Sequence, residues 1–151
     1  MIKALVVEDE EDIKHLLVEE LEDKGFQVRE AGNGVIALQC VSQSMPDIIF
    51  VDVLMPVMDG FVLISKLREN PETSGIPVVL VTAINAHEAK RKAGELGVKY
   101  HLTKPWEPWA LDFVLEQALK PAGRGSKRDA KYQVYPPRAT TGRDSTGGLK
   151  R

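Results

Sequence analysis

Five residues able to do chemistry stand at the ends of apolar runs. Glu8 and Asp9 follow "KALVV", Asp52 ends the apolar core of "DIIFVDV", Thr82 lies at the end of "PVVLVTA", and Lys104 follows "KYHLT". Runs of this length read as buried strands. A parallel sheet of such strands carries its sites at the strands' carboxyl ends, so the five residues converge on one edge. Three carboxylates gathered there repel each other, and without a cation at least one should have a raised pKa. A hard ion such as Mg²⁺ relieves this with oxygen ligands, typically one or two carboxylates plus waters and phosphate oxygens. A carboxylate nucleophile, a metal, an ammonium and a hydroxyl together suit phosphoryl transfer to Asp52. Mg²⁺ and Lys104 would neutralise the charge of the transferred group.

Positioning these residues requires five strands alternating with five helices. The strands are read at 3–7, 26–31, 47–53, 77–83 and 99–103. The first helix spans 11–24, with Ile13, Leu16, Leu17 and Leu21 at helical spacing and Gly25 as its stop. Asn33-Gly34 opens the second, with Ala37, Leu38 and Val41 inward, and it stops before Pro46. Asp59-Gly60 caps the third, which carries Phe61, Ile64 and Leu67. A fourth covers roughly 86–96. Pro108 sits in the first turn of the last, with Leu111, Val114, Leu115 and Ala118 on one face. This alternation means an α/β fold with a parallel sheet covered on both faces.

The pattern stops after Lys120. Residues 1–120 carry 12 Lys+Arg against 20 Asp+Glu, a net of −8, and residues 121–151 carry 8 against 2, a net of +6. The second stretch is rich in Gly, Pro, Ser, Thr and Arg, with too few apolar residues for a core. We expect a domain over 1–120 and a disordered basic tail or linker over 121–151. The tail is too short and polar for a helix-turn-helix module, so sequence-specific DNA binding is not expected. No apolar stretch is long enough to span a bilayer. Cys40 is the only cysteine, which excludes an intramolecular disulfide and fits a cytoplasmic location.

The residues resemble the receiver domain of bacterial response regulators, of the chemotaxis and phosphorelay type used in two-component signalling. "LVVEDE" resembles the acidic pair after the first strand, "VDVLMPVMDG" the phosphoacceptor strand and its loop, "VLVTA" the switch-threonine strand, and "HLTKP" the lysine–proline step. The resemblance spans 1–120. It implies a flavodoxin-like five-stranded parallel sheet in the order 2-1-3-4-5. It also implies that Asp52 accepts phosphate from a histidine of a partner, either a sensor histidine kinase or a histidine phosphotransfer protein. Asp9 would bind Mg²⁺ with Glu8 and Asp52, and the Leu54 backbone carbonyl would complete the metal site. Thr82 and Lys104 would contact the phosphoryl group. Ala83 would leave it accessible, and Leu54 and Ile84 would flank the path of an attacking water. His101 would act with Thr82 as a switch. Output would pass through the face of the fourth helix, fifth strand and fifth helix, to a protein target or a second, phosphorylation-dependent copy.

Each residue also has an ordinary reading. Asp52 could cap a strand end, Glu10 to Asp12 serve the first helix through its macrodipole, and Lys90, Arg91 and Lys92 form a solvated face. Trp106 and Trp109 are read first as core, and His15 and His87 as surface. Two other functions compete with the switch. An aspartate-nucleophile phosphohydrolase usually carries a second aspartate two residues after the nucleophile, where this chain has Leu54. A passive interaction domain would not need Asp9, Asp52, Thr82 and Lys104 together. The chain could also be the N-terminal receiver of a longer regulator cut at the tail.

Overall fold

The computed structural model describes residues 1–53, 59–83 and 85–120. The elements run β1 (Lys3–Val7), α1 (Glu11–Asp23), β2 (Gln27–Ala31), α2 (Gly34–Gln43), β3 (Ile48–Asp52), α3 (Gly60–Glu69), β4 (Val78–Ala83), α4 (His87–Glu95), β5 (Tyr100–Lys104) and α5 (Pro108–Leu119). Backbone contacts group the described residues into two units, divided between Lys104 and Pro105. In the first, five parallel strands form one sheet in the order β2-β1-β3-β4-β5. This is the flavodoxin-like order that the resemblance implies.

The pleat divides the strands' side chains between two faces. Leu5, Val7, Ile49, Val51 and Leu80 join one core with Ala37 and Val41 of α2, Leu63, Ile64 and Leu67 of α3, and Ala93 of α4. Ala4, Val6, Ile48 and Phe50 have the opposite parity and are also buried. α1 packs along β1 and β2. β3 is buried at all five positions, as expected of the central strand.

The caps follow from local chemistry. Asn33 Oδ1 accepts from Ile36 N at 2.9 Å, and Asp59 Oδ1 accepts from Val62 N at 3.0 Å. Each satisfies a donor that the first helical turn leaves open. At α1 the sequence reading needs correction. Leu16 is exposed, and the buried stripe is Lys14, Leu17, Val18 and Leu21. Lys14 can take an inward position because its ammonium meets Glu11 at 2.9 Å and Glu30 at 3.7 Å while its stem packs.

In the second unit, α5 buries Leu111, Val114, Leu115, Ala118 and Leu119 and leaves Trp109 and Phe113 exposed. The core reading of Trp109 is therefore corrected: it lies one position off the stripe that Leu111 and Leu115 define. Among the described residues no helix is long and apolar enough to cross a membrane. The tail expected over 121–151 lies outside the described residues, as do Leu54 and Ile84.

Candidate functional site

The strand registers bring the acidic and basic groups together. Val7 pairs with Val51, so Glu8 follows at the level of Asp52. Asp52 pairs with Val81, and Ala83 pairs with Lys104. Val81 and Ala83 share a parity, so Asp52 and Lys104 rise from the same face, one pleat repeat apart. Lys104 Nζ lies 3.4 Å from Asp52 Oδ2, 3.5 Å from Glu8 Oε1 and 3.5 Å from Glu10 Oε1. Carboxylate oxygens of Glu8, Asp9 and Asp52 fall within 4.8 Å of one another.

Burial is unequal across this cluster. Glu8 and Asp52 are buried, at 2% and 7% exposure, whereas Asp9 is exposed. Burial first, then a hydrogen bond with Asp52 and the charge of Asp52, push the Glu8 carboxyl up to about 7, against the pull of Lys104. At Lys104, burial disfavours the ammonium. The charges of Asp52 and Glu8 outweigh that effect, and its pKa is raised. One lysine thus faces more negative charge than it can neutralise. An all-oxygen donor set of this compactness fits a hard divalent cation such as Mg²⁺.

Thr82 is buried at the end of β4 and lines the same cleft, of about 700 Å³, as Asp9, Asp52, Ala83 and Lys104. Ala83 is exposed at the cleft. Asp52 is brought here by a close backbone approach. Gly60 N donates to Val53 O at 3.0 Å, and a Cβ on Gly60 would come within 2.7 Å of Asp52 O and 2.6 Å of Val53 Cα. Only glycine lets α3 start against the strand that ends in Asp52.

His101 stands beside Leu80 in the register, on the same face as Thr82 and on the side of α4. Its Nε2 is buried with no hydrogen-bond partner among the described residues. Burial, then the charge of Lys90, lowers its pKa and so disfavours the charged ring.

Sequence reasoning missed two contributors. Glu10 was assigned to the helix, yet its side chain makes no capping hydrogen bond and its carboxylate meets Lys104. Lys92 is exposed, as a solvated face expects, and it also lines the cleft with its ammonium 4.6 Å from the centroid of Phe61. Neither has a local signal, because both depend on which strand lies next to which. Of the other members of the basic run, Arg91 is exposed as a solvated face expects and pairs with Glu88 and Glu95, whereas Lys90 is half-buried.

A parallel sheet in this order, with an acidic cluster and a lysine at its carboxyl edge, defines a receiver-type switch domain. Residues 4–116 match the response regulator receiver domain family, and the chain belongs to that family. The response regulator PleD of Caulobacter vibrioides is 41% identical over 103 residues, covering 68% of this chain and 23% of PleD. A 14.6 kDa protein of Leptolyngbya boryana is 38% identical over 113 residues, 75% of this chain and 86% of that one. Among solved structures, the Vibrio cholerae chemotaxis protein CheY4 superposes with a TM-score of 0.74 at 31% identity, covering 79% of this chain and 99% of CheY4. The chain therefore spans under a quarter of PleD and nearly all of a single-domain receiver. Receiver domains act as switches in two-component signalling, generally bind Mg²⁺ at an acidic site, and imply a histidine kinase as partner.

Proposed function

We propose that this chain is a phosphorylation-dependent switch in which Asp52 accepts a phosphoryl group from a histidine of a sensor kinase or histidine phosphotransfer protein. The observation that carries this reading is the ammonium of Lys104 held 3.4 Å from Asp52 and 3.5 Å from Glu8 at the mouth of the cleft. The Asp52 carboxylate is the nucleophile, and Lys104 offers its ammonium to the charge of the incoming phosphoryl oxygens. Thr82 offers its hydroxyl from β4. Glu8, Asp9 and Asp52 would hold Mg²⁺, with the Leu54 carbonyl. Once bound, Mg²⁺ would supply positive charge to the phosphoryl oxygens.

Thr82 and His101 share a face of the sheet with α4. A movement of Thr82 toward phosphate would free space beside the half-buried His101, whose Nε2 has no hydrogen-bond partner among the described residues and so gives the ring little polar anchorage. The output would pass through α4, β5 and α5 to a protein target, or to a second copy. The domain is taken as 1–120 and the location as cytoplasmic.

Labelling with a small phosphodonor in Mg²⁺, followed by intact mass, tests the reading. The wild type should gain one phosphoryl group and Asp52→Asn none. An unlabelled wild type, or a labelled variant, would overturn it. Leu54 and Ile84 cannot orient a water, so the label should persist. Leu54→Asn with Ile84→Glu should speed its loss by less than the roughly 10²–10⁴-fold typical of a positioned base. An unchanged decay rate would remove this part of the proposal.

A further inference from the structure

The cleft at Asp52 carries more than its acidic edge. Four carboxylates, those of Glu8, Asp9, Glu10 and Asp52, gather around Lys104, which faces three of them at 3.4–3.5 Å. An anionic donor entering the cleft meets a lysine already engaged. A second cation lines the same cleft from α4. On a helix, Lys92 would pair with the residue four before it or three after it, Glu88 or Glu95. Both carboxylates are taken by Arg91, on which they converge. Among the described residues Lys92 closes no ion pair within 4 Å; its charge still acts on Glu88 from a distance, and its ammonium rests over Phe61. A cation held on a ring at an exposed position is held weakly. It can therefore be given up to an anion. Val53, Ala83 and Ala89 line the cleft beside it as an apolar wall, together with Glu88, whose carboxylate is held by Arg91.

We propose that Lys92 is a specificity-determining residue that favours phosphodonors whose leaving group departs as an anion, the acyl phosphates. This rests on the reading of Asp52 as phosphoacceptor. In the transfer, an Asp52 oxygen forms the new bond to phosphorus, and the bond from phosphorus to the acyl oxygen breaks. The acid leaves as a carboxylate with the electron pair of that bond, and no further reagent is consumed. In-line displacement sends the leaving group away from Asp52, out along the cleft. There the ammonium of Lys92 offers it a counter-charge, while Phe61 and Ala89 offer an apolar wall to a short acyl chain. A phosphoramidate puts no such demand on Lys92, because its nitrogen is already protonated in the donor and leaves with the electron pair of the P–N bond as neutral ammonia.

The test compares initial labelling of Asp52 by acetyl phosphate and by phosphoramidate, in Mg²⁺, for wild type, Lys92→Gln and Lys92→Arg. The ratio of the two rates should fall about fivefold in Lys92→Gln, the order expected of one screened charge at close range. It should recover in Lys92→Arg, with the melting temperature unchanged in both. An unchanged ratio, or equal loss with both donors, overturns the inference while Asp52 remains the acceptor. A wild type labelled by neither donor overturns the phosphoacceptor reading itself.

Discussion

Glu8 is the residue on which the site's electrostatics turn. In an unfolded chain its carboxyl ionises near 4.5, and in the fold near 7. Between these values the unfolded chain gives up the proton first, so ionisation favours unfolding. The protonated Glu8 therefore contributes stability fully present below about pH 4.5 and lost as pH rises through about 7. A cation that binds the ionised cluster reverses that loss. We predict that, in chelator, the melting temperature declines across this window by more in the wild type than in Glu8→Gln. Millimolar Mg²⁺ should raise the wild-type melting temperature most at the upper end. Parallel pH profiles for the two proteins, or no response to Mg²⁺, would count against an acidic cation site. Gly60 makes a second prediction at this scale. Two of the three atoms nearest an added Cβ are backbone, at 2.6 and 2.7 Å. Gly60→Ala must displace either the start of α3 or the strand end bearing Asp52. It should cost on the order of 1–3 kcal/mol and slow labelling of Asp52. If both melting and labelling are unchanged, the close approach has been misjudged.

Elements were legible where their signals are local. Asn33 and Asp59 mark helix starts because their side chains satisfy amides of the same turn. The apolar runs mark strands because both faces of a parallel sheet are covered. Their order in the sheet has no local signal and came only with the family resemblance. The stripe of α1 misled because a lysine took an inward position once Glu30, from β2, stood opposite it. Arg68 had no signal at all, since its partners come from distant chain. Its guanidinium is half-buried and, among the described residues, donates only to backbone carbonyls: Leu96 O at the C-cap of α4, and Ser74 O and Ile76 O before β4. It ties the far end of α4 to the segment that leads into the Thr82 strand. The near end has no side-chain cap, with Ala86 at the N-cap position. We predict that Arg68→Met destabilises the protein by on the order of 2–3 kcal/mol, since three carbonyls lose a charged donor. Amide exchange should rise over α4 and 74–76, and much less over α1. Uniform exchange across the domain would mean that Arg68 supports the whole fold rather than this joint.

At the scale of the whole chain, the net charge of −2 averages two opposed parts. Residues 1–120 carry −8 and residues 121–151 carry +6, from 8 basic against 2 acidic side chains. The functional residues discussed above all lie in the acidic part, and the family match ends at residue 116. Chemistry at Asp52 should therefore be indifferent to the last thirty residues, whereas adsorption to charged surfaces should not. Exposed charges act over roughly a Debye length, about 10 Å at 0.1 M salt. At that range a surface responds to the local density of charge rather than to the molecular sum. We predict that at pH 7 and low salt the full chain is retained on a cation exchanger despite its negative net charge, and elutes as salt rises. A chain ending at residue 121 should flow through. Both should be labelled at Asp52 at the same rate and melt at the same temperature. Equal elution of the two would show that the acidic part neutralises the basic one within the molecule. Loss of labelling or of cooperative melting on truncation would move the domain boundary beyond residue 120.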